Sequence, residues 1–270
     1  MSGIEALLRE VHTLDASAGR STWLTRYDPR AIVLATVAFI VVVVSFDRYA
    51  VSALLPLALF PVVLARLGHI PLGQIGRKLL PALPFALMVG LFNPLFDPAP
   101  RLELMGHAIA GGWLSLTSIL LRAILTIAAA LILIAVLGMH RLCAALDRLG
   151  VPRVLTTQLL FMHRYLVVLA GELGRMNLAR ELRSPTLKAM PLSVYASLLG
   201  HLLLRTLERA QRIHQAMRAR GFDGQMPLQQ IQPWQWRDTM FLAAWLGMLL
   251  LMRTTDLATL LGRLMLGIAA

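Results

Sequence analysis

Two arginines stand at predicted helix ends within a long basic segment, residues 138–237. The segment holds fourteen Lys and Arg against five Asp and Glu, and so carries +9 of the chain's formal +12. Arg183 lies two residues before Pro185, and proline disfavours helix at the residue that precedes it. Arg220 precedes Gly221, the residue type preferred in a left-handed helix cap. A guanidinium is planar and can pair with a carboxylate through two hydrogen bonds. The two arginines could therefore dock onto an acidic partner.

A purely local role is the alternative for these arginines. Cations favour the carboxyl end of a helix because they offset its dipole, and for either arginine alone this interpretation is as good as docking. The duplication of the pattern, the small residues beside each arginine and the basic setting favour docking.

Two long helices are predicted to position the arginines. Residues 153–183 contain no internal proline, and their apolar first part, 155–173, predicts a helix along the membrane interface or beneath the spans. Residues 186–220 carry an apolar stripe at helical spacing. The stripe consists of Leu187, Met190, Val194, Leu198, Leu202, Ile213 and Met217. Arg205, Arg209, Arg212 and Arg220 are predicted to lie on a different face, within one narrow arc.

Composition predicts an all-α polytopic membrane protein. The chain is 57% hydrophobic and only 15% charged, with a mean hydropathy of +0.69, whereas soluble domains carry about a quarter charged residues. Apolar stretches predict about five transmembrane helices plus long cytoplasmic coupling helices, which lie between the fourth and the fifth. The stretches are 31–46, 50–67, 79–96, 111–137 and 239–252, with a basic loop at 66–78 and a mixed loop at 97–103. Whether residues 253–270 cross the membrane stays open.

Charge orients this arrangement. The basic loops lie on the cytoplasmic side if the amino terminus is inside, and the short, nearly neutral loops then lie outside. The predicted organisation is a cytoplasmic amino-terminal segment, 1–30; transmembrane helices one to four, 31–137; a cytoplasmic coupling-helix region, 138–237; and a last transmembrane helix with its tail, 238–270. Residues 1–30 show no signal peptide pattern. The basic charge is interpreted as topology and partner binding in a lipid bilayer, not as nucleic-acid binding.

Catalytic and metal-binding patterns are not found. Cys143 is alone, the seven histidines form no i, i+4 pair, and no Walker A sequence occurs. We therefore predict no catalytic residue, no cofactor and no metal site on this chain. Arg122 falls inside the fourth apolar stretch, and we interpret it as a structural interhelical contact in preference to a functional charge.

Several of these segments resemble a known family. Leu182-Arg183-Ser184 and Met217–Gly224 resemble the paired X-Arg-X motifs of the transmembrane coupling (T) component of energy-coupling-factor transporters. Asp28-Pro29-Arg30 is similar to that family's amino-terminal signature, and Pro84–Phe96 resembles the third-span region of its cobalt and nickel branch. The resemblance covers roughly residues 25–250. The first motif departs from the family at Leu182, where Ala is usual, which puts its local packing in question.

The resemblance implies a non-catalytic permease subunit in the inner membrane of a cell. Its implied partners are a dimer of ATP-binding-cassette ATPases, which hydrolyse the ATP, and a small membrane subunit that binds cobalt or nickel, an uptake associated with cobalamin biosynthesis. The implied ATPase-coupling residues are Arg183, Ser184, Ala219, Arg220 and Gly221, with Arg205, Arg209 and Arg212 as a supporting basic face.

Three alternatives remain at this point. A T component serving a vitamin-binding subunit would share all these features. A self-sufficient secondary transporter would show internal repeats with matching polar breaks, which we do not find. A membrane-embedded enzyme would need convergent carboxylate, Ser/Lys or His/Glu groups at membrane depth, and the apolar stretches supply almost none.

Overall fold

In the computed structural model, the described residues are 23–96, 100–104, 107–183, 192–224 and 233–254, with backbone alone for 95–110. The helices are α1 (Pro29–Ser45), α2 (Val51–Leu54), α3 (Leu59–Leu67), α4 (Leu72–Leu79), α5 (Leu83–Gly90), α6 (Asn93–Phe96), α7 (Gly111–Arg148), α8 (Arg153–Arg183), α9 (Leu192–Ala219) and α10 (Trp236–Thr254). Short 3₁₀ turns cover Trp23–Arg26 and Pro56–Ala58.

The chain forms two compact units. One comprises Met1–Ala16 and Met139–Gln230, and the other comprises Ser17–Gly138 and Ile231–Ala270. The chain passes between them within α7, at Gly138, where the backbone leaves helical geometry (φ 67°, ψ 165°). The predicted fourth span, 111–137, is thus the part of α7 that precedes this break.

The helical fold class is confirmed, with one local exception that the sequence interpretation missed. Strands β1 (Pro100–Leu104) and β2 (His107–Ala110) pair antiparallel, with Leu104 opposite His107. The interpretation of 97–103 as a plain loop was therefore wrong for the part within β1. The alternation Arg-Leu-Glu-Leu at 101–104 is the period-two signal of a strand, but it is too short to stand out between two apolar stretches.

Among the described helices, α7 and α8 are long and apolar enough to cross a membrane, and Pro29–Ser45 and Val51–Leu67 are shorter apolar helices. The count of five spans stays a prediction, as does the interfacial position of α8.

The predicted third span, 79–96, begins in the last residue of α4 and continues through α5 and α6 as separate short helices, because proline cannot donate the backbone hydrogen bond that a continuing helix requires. The predicted basic loop, 66–78, is also wrong in part, since α4 occupies most of it.

Aromatic side chains hold together the unit that contains α1. Phe39 of α1 stacks on Phe60 of α3 with ring centroids 4.3 Å apart, and Phe60 meets Trp245 of α10 edge-on at 4.7 Å. The other side of α1 exposes Val37, Val41 and Val44. An exposed apolar stripe opposite a buried face is the pattern of a helix that borders lipid.

The amino-terminal ends of α1 and α10 are joined by a buried polar cluster. Asp238 accepts the backbone N–H of Asp28 at 2.8 Å with one carboxylate oxygen and that of Gln235 at 2.8 Å with the other. Arg30 pairs with the Asp28 carboxylate through two nitrogens, the shorter contact being 2.7 Å, and lies over the ring of Trp234. The Asp28-Pro29-Arg30 segment therefore caps α1 and fixes it to α10.

Arginines also meet the carboxyl end of α1. Arg122 of α7 donates to the carbonyl of Asp47, and Arg253 of α10 donates to the carbonyl of Ser45 at 3.2 Å while lying over Phe46. Ser45 is the last residue of α1, so its carbonyl has no partner within the helix, whereas the Asp47 carbonyl lies two residues later and also accepts the N–H of Ala50 at 3.1 Å. Cations at this end of α1 also offset the helix dipole. The contact of Arg122 with the turn after α1 agrees with the structural interpretation of this residue, which stays a prediction.

Candidate functional site

The unit that contains Met139–Gln230 has α8 and α9 packed side by side and antiparallel. The direction follows from two contacts. The carboxylate of Glu172 in α8 accepts a hydrogen bond from the guanidinium of Arg205 in α9 at 3.2 Å. Phe161 lies eleven residues earlier on α8, and its ring centroid is 6.5 Å from that of Phe222, which lies beyond the end of α9. The two helices are therefore tied at two levels, by an ion pair and by aromatic packing.

The end of α9 is a Schellman motif built around Gly221. The N–H of Phe222 donates to the carbonyl of Met217, and the N–H of Gly221 donates to the carbonyl of Arg218, both at 3.0 Å. Gly221 has φ +84°, so the predicted left-handed glycine cap is confirmed. The motif brings the apolar side chain after the glycine back towards the last helical turn. Arg220 is thereby held at the turn where the helix stops.

Arg183 is the last residue of α8, so the predicted bounds of this helix are confirmed, whereas Ser184 lies outside the described residues. Arg183 and Arg220 are both exposed, as is Ala219. Among the described residues, neither arginine forms an ion pair or a side-chain hydrogen bond, whereas Arg205 and Arg212 pair within this unit. The two guanidinium groups are thus presented to solvent at two helix ends.

The distance between the two arginines follows from the pairing. Phe161 marks the point of α8 that lies beside the Arg220 turn. Arg183 is twenty-two residues further along an uninterrupted helix, and a helix rises about 1.5 Å per residue, which gives a separation of roughly 33 Å. The structure therefore does not bring the predicted coupling residues into one site. It holds them as two separate sites at opposite ends of a helix pair.

The supporting arginines lie differently from the prediction. Arg205 pairs with Glu172 of α8, and Arg209 lines the same cleft as Ile213 and Met217 of the apolar stripe. The prediction of a separate basic face is therefore wrong for these two residues. Arg212 is exposed and meets Glu208 at 3.8 Å one turn earlier.

Glu172 is the acid that connects the two helices, and the sequence interpretation gave it no role. It lies near the end of the apolar first part of α8, 155–173, and forms ion pairs with Arg175, at 2.5 Å, and with Arg205. The hydrogen bond from Arg175, followed by its charge and by the contact with Arg205, lowers the pKa of Glu172 from its ordinary value. Glu172 is therefore ionised at neutral pH and keeps its contact with Arg205.

A cleft of about 520 Å³ lies between α8 and the second half of α9. Its walls are mostly apolar, from Phe161, Val168 and Leu169 on one side to Ile213 and Met217 on the other. Polar groups enter it from both helices; they are Thr157, Gln158, Tyr165, Thr206, Arg209 and His214. Phe222 closes the end beside Arg220. Ile213 and Met217 of the predicted apolar stripe line the cleft, whereas the cleft itself was not predicted from the sequence.

Within the described ranges, no three His, Cys, Asp or Glu side chains converge in a way that would hold a metal ion. Cys143 is buried in α7.

The fold and the site together define a helical membrane protein with a basic two-helix unit that exposes Arg183 at one end and Arg220 at the other. The family described as CbiQ, cobalt transport protein, matches residues 20–231. The chain belongs to this family and is a cobalt transport permease component. No curated protein gave a significant match to the sequence.

Proposed function

We propose that this chain is the transmembrane coupling subunit of an ATP-driven energy-coupling-factor importer, multi-pass in the inner membrane. Its partners are two ATP-binding-cassette ATPases and a small membrane subunit that binds cobalt or nickel. One observation carries the proposal: Arg183 and Arg220 are exposed at the ends of two packed helices and have no side-chain partner among the described residues. The membership of the chain in a cobalt transport family supports it.

The spacing of the arginines favours two docking grooves over one. A separation of roughly 33 Å along α8 is too large for both guanidinium groups to enter one acidic pocket. It suits one arginine on each subunit of an ATPase dimer. Each groove would supply a carboxylate that pairs with the guanidinium through two hydrogen bonds.

The contacts between α8 and α9 explain how motion would pass through the subunit. When the ATPase dimer closes, its two grooves move relative to each other and displace the two helix ends. The Glu172–Arg205 pair and the Phe161–Phe222 contact join the helices, so that the displacement moves both together. The exposed apolar side chains Leu199 and Leu203 of α9 would transmit it to the metal-binding subunit.

The proposed topology keeps residues 138–237 in the cytoplasm, because this segment carries +9 of the chain's formal +12. Four spans precede it, so the amino terminus lies on the same side. In this arrangement 31–137 form the first four transmembrane helices and 238–270 contain the last. The chain catalyses no reaction, and ATP hydrolysis belongs to its partners. The importer's substrate is cobalt, or nickel in the same branch.

Copurification tests the proposal. The chain is expressed with its native partners, isolated in detergent, and its bound proteins are identified by mass spectrometry, for the wild type and for Arg183→Ala/Arg220→Ala. We expect the ATPase to accompany the wild type and to be lost from the variant, while uptake of labelled cobalt falls to background. Arg77→Ala/Lys78→Ala, which removes the same charge from α4, is the matched control and should keep both.

Two results would contradict the coupling role. Normal ATPase binding and normal uptake in the double variant would show that the arginines only offset the dipoles of their helices. Cobalt uptake that does not depend on any ATPase would favour the alternative that the chain is a self-sufficient secondary transporter.

A further inference from the structure

The cleft between α8 and α9 has the chemistry of a site for an anionic amphiphile. Its volume of about 520 Å³ lies within the range of small-molecule pockets, roughly 300–1,000 Å³, which are mostly apolar and hold a few polar groups. Phe161, Leu169 and Ile213 supply the apolar surface, and Arg209 supplies a cation. None of the described residues that line the cleft is an aspartate or a glutamate. An anionic group bound there therefore meets a positive charge without a competing carboxylate in the lining.

Arg209 is the group that suits the anion. Among the described residues, it forms no ion pair, whereas its neighbours on α9 are engaged. Arg205 pairs with Glu172 at 3.2 Å, and Arg212 meets Glu208 at 3.8 Å. At about 100° per residue, the three arginines lie along one edge of the α9 face that lines the cleft. Positive charge is thus concentrated on this edge, and Arg209 keeps its guanidinium available for a ligand.

Exposed apolar side chains border the same cleft. Leu207 of α9 is 52% exposed and Val154 of α8 is 74% exposed, and both line the cleft. Leu207 lies about 160° around α9 from Arg209, so the cation and this apolar border are on different sides of the α9 face. Large apolar side chains that stay exposed beside a cleft mark contact with a membrane or a partner.

A bilayer is the nearest source of an amphiphile for this cleft. The Met139–Gln230 part of the unit follows directly on the apolar stretch 111–137 and Gly138. Helix α8, which forms one wall of the cleft, is itself long and apolar enough to cross a membrane. Basic segments next to membrane spans are attracted to anionic lipid headgroups, and the segment 138–237 carries +9 of the chain's formal +12.

We propose that the cleft between α8 and α9 binds one anionic phospholipid of the surrounding bilayer. One acyl chain lies against Phe161, Leu169 and Ile213. The phosphate pairs with Arg209, because a planar guanidinium donates two hydrogen bonds to phosphate oxygens.

The lipid site adjoins the turn that presents Arg220. Met217 and Phe222 line the cleft, and the N–H of Phe222 donates to the carbonyl of Met217 within that turn. A bound acyl chain therefore packs against the turn and stabilises its position beside α8. Lipid binding does not depend on the ATPase partners, so its test is separate from that of the coupling role.

Photocrosslinking in vesicles tests the site in the full-length chain. The chain is reconstituted, once alone and once with its native partners, into phosphatidylcholine vesicles. The vesicles contain a small fraction of either phosphatidylglycerol or phosphatidylcholine that carries a photoactivatable acyl chain. After illumination and digestion, mass spectrometry locates and quantifies the labelled residues.

Two pairs of variants separate charge from space. Arg209→Gln removes the cation of the cleft, and Arg218→Gln makes the same charge change at an exposed residue of α9 outside the cleft lining. Ala210→Trp fills the cleft without a change of charge. Ala216→Trp is its control, since Ala216 is an exposed residue of α9 that does not line the cleft.

We expect phosphatidylglycerol to label the walls of the cleft several-fold more than phosphatidylcholine does. Arg209→Gln should lower labelling by phosphatidylglycerol to the level of phosphatidylcholine, and Ala210→Trp should lower labelling by both lipids. The two control variants should behave like the wild type. Inorganic phosphate should not compete, because it has no acyl chain to occupy the apolar surface.

Three results would overturn the proposal. Equal labelling by the two lipids, or an unchanged pattern in Arg209→Gln, would mean that the cleft does not select an anionic headgroup. Labelling of Leu199 and Leu203 as strong as that of the cleft would indicate general contact of α9 with the bilayer. Labelling that disappears when the native partners are present would assign the cleft to a protein partner.

Discussion

At the scale of single residues, Gly221 determines how Arg220 is presented. Its φ of +84° lies in the left-handed region, where a Cβ costs an L-residue about 1–2 kcal/mol. Gly221→Ala should therefore destabilise the end of α9 by that amount and lower the temperature of thermal unfolding in detergent. The same substitution should weaken ATPase binding, because Arg220 precedes the strained turn.

Gly200→Ala is the matched control for this prediction. Gly200 lies inside α9 with no atom within 4 Å of an added Cβ, and alanine is favoured over glycine in a helix interior by roughly 0.5–1 kcal/mol. This variant should unfold at the same or a higher temperature and bind the ATPase normally. Equal destabilisation by both substitutions would mean that the Gly221 conformation is not what presents Arg220.

Local chemistry explains which site residues could be predicted. Arg183 and Gly221 were placed correctly because proline and glycine act on the backbone next to them. Arg205 and Arg209 were not, because the side of α9 that meets α8 is decided by the crossing of two helices. An apolar stripe with a spacing of four residues also drifts around the helix, so that the second half of α9 turns its arginines towards the partner helix.

At the scale of elements, the start of α7 packs unusually close to α6. A Cβ on Gly112 would lie 2.4 Å from the Cα of Pro94 and 2.6 Å from the carbonyl oxygen of Asn93, and Asn93 also donates to Ser115 at 2.7 Å. Both clashing atoms belong to the backbone, so relief requires a shift of the helix itself. Gly112→Ala should lower stability by about 1–3 kcal/mol, the usual cost of overpacking.

Thermal unfolding with Gly73→Ala as the control checks this packing. Gly73, like Gly112, is the second residue of its helix, yet an added Cβ there meets nothing within 4 Å. Only Gly112→Ala should lower the unfolding temperature. If both variants behave like the wild type, the close approach of α6 and α7 is absent from the protein in detergent.

The same region shows why the breaks within the predicted span 79–96 were harder to predict than the helix ends at Arg183 and Arg220. The prolines of residues 79–96 were recognised, but a run of apolar residues still indicated one span. The structure instead ends and restarts the chain as α4, α5 and α6. Hydropathy measures whether a segment can enter lipid, whereas helix continuity depends on each backbone N–H having an acceptor.

At the scale of the whole molecule, the separation of Arg183 and Arg220 makes a quantitative prediction about ATPase binding. Residues more than about 7–10 Å apart without shared partners have free-energy effects that add to within roughly 0.5 kcal/mol. Removing one member of a buried, hydrogen-bonded charge pair at an interface costs about 2–5 kcal/mol. Each single alanine variant should therefore weaken ATPase binding measurably, and the double variant should lose the sum of the two effects.

A double-mutant cycle on the affinity of the purified chain for its ATPase checks this additivity. If Arg183→Ala alone removes as much binding free energy as the double variant, Arg220 contributes only to its own helix end. If the double variant loses much more than the sum, the two arginines enter one shared groove, and the separation of roughly 33 Å that α8 imposes cannot persist in the complex. Additivity together with loss in each single variant is the outcome that two independent grooves require, because only then does each helix end carry its own contact to the moving ATPases.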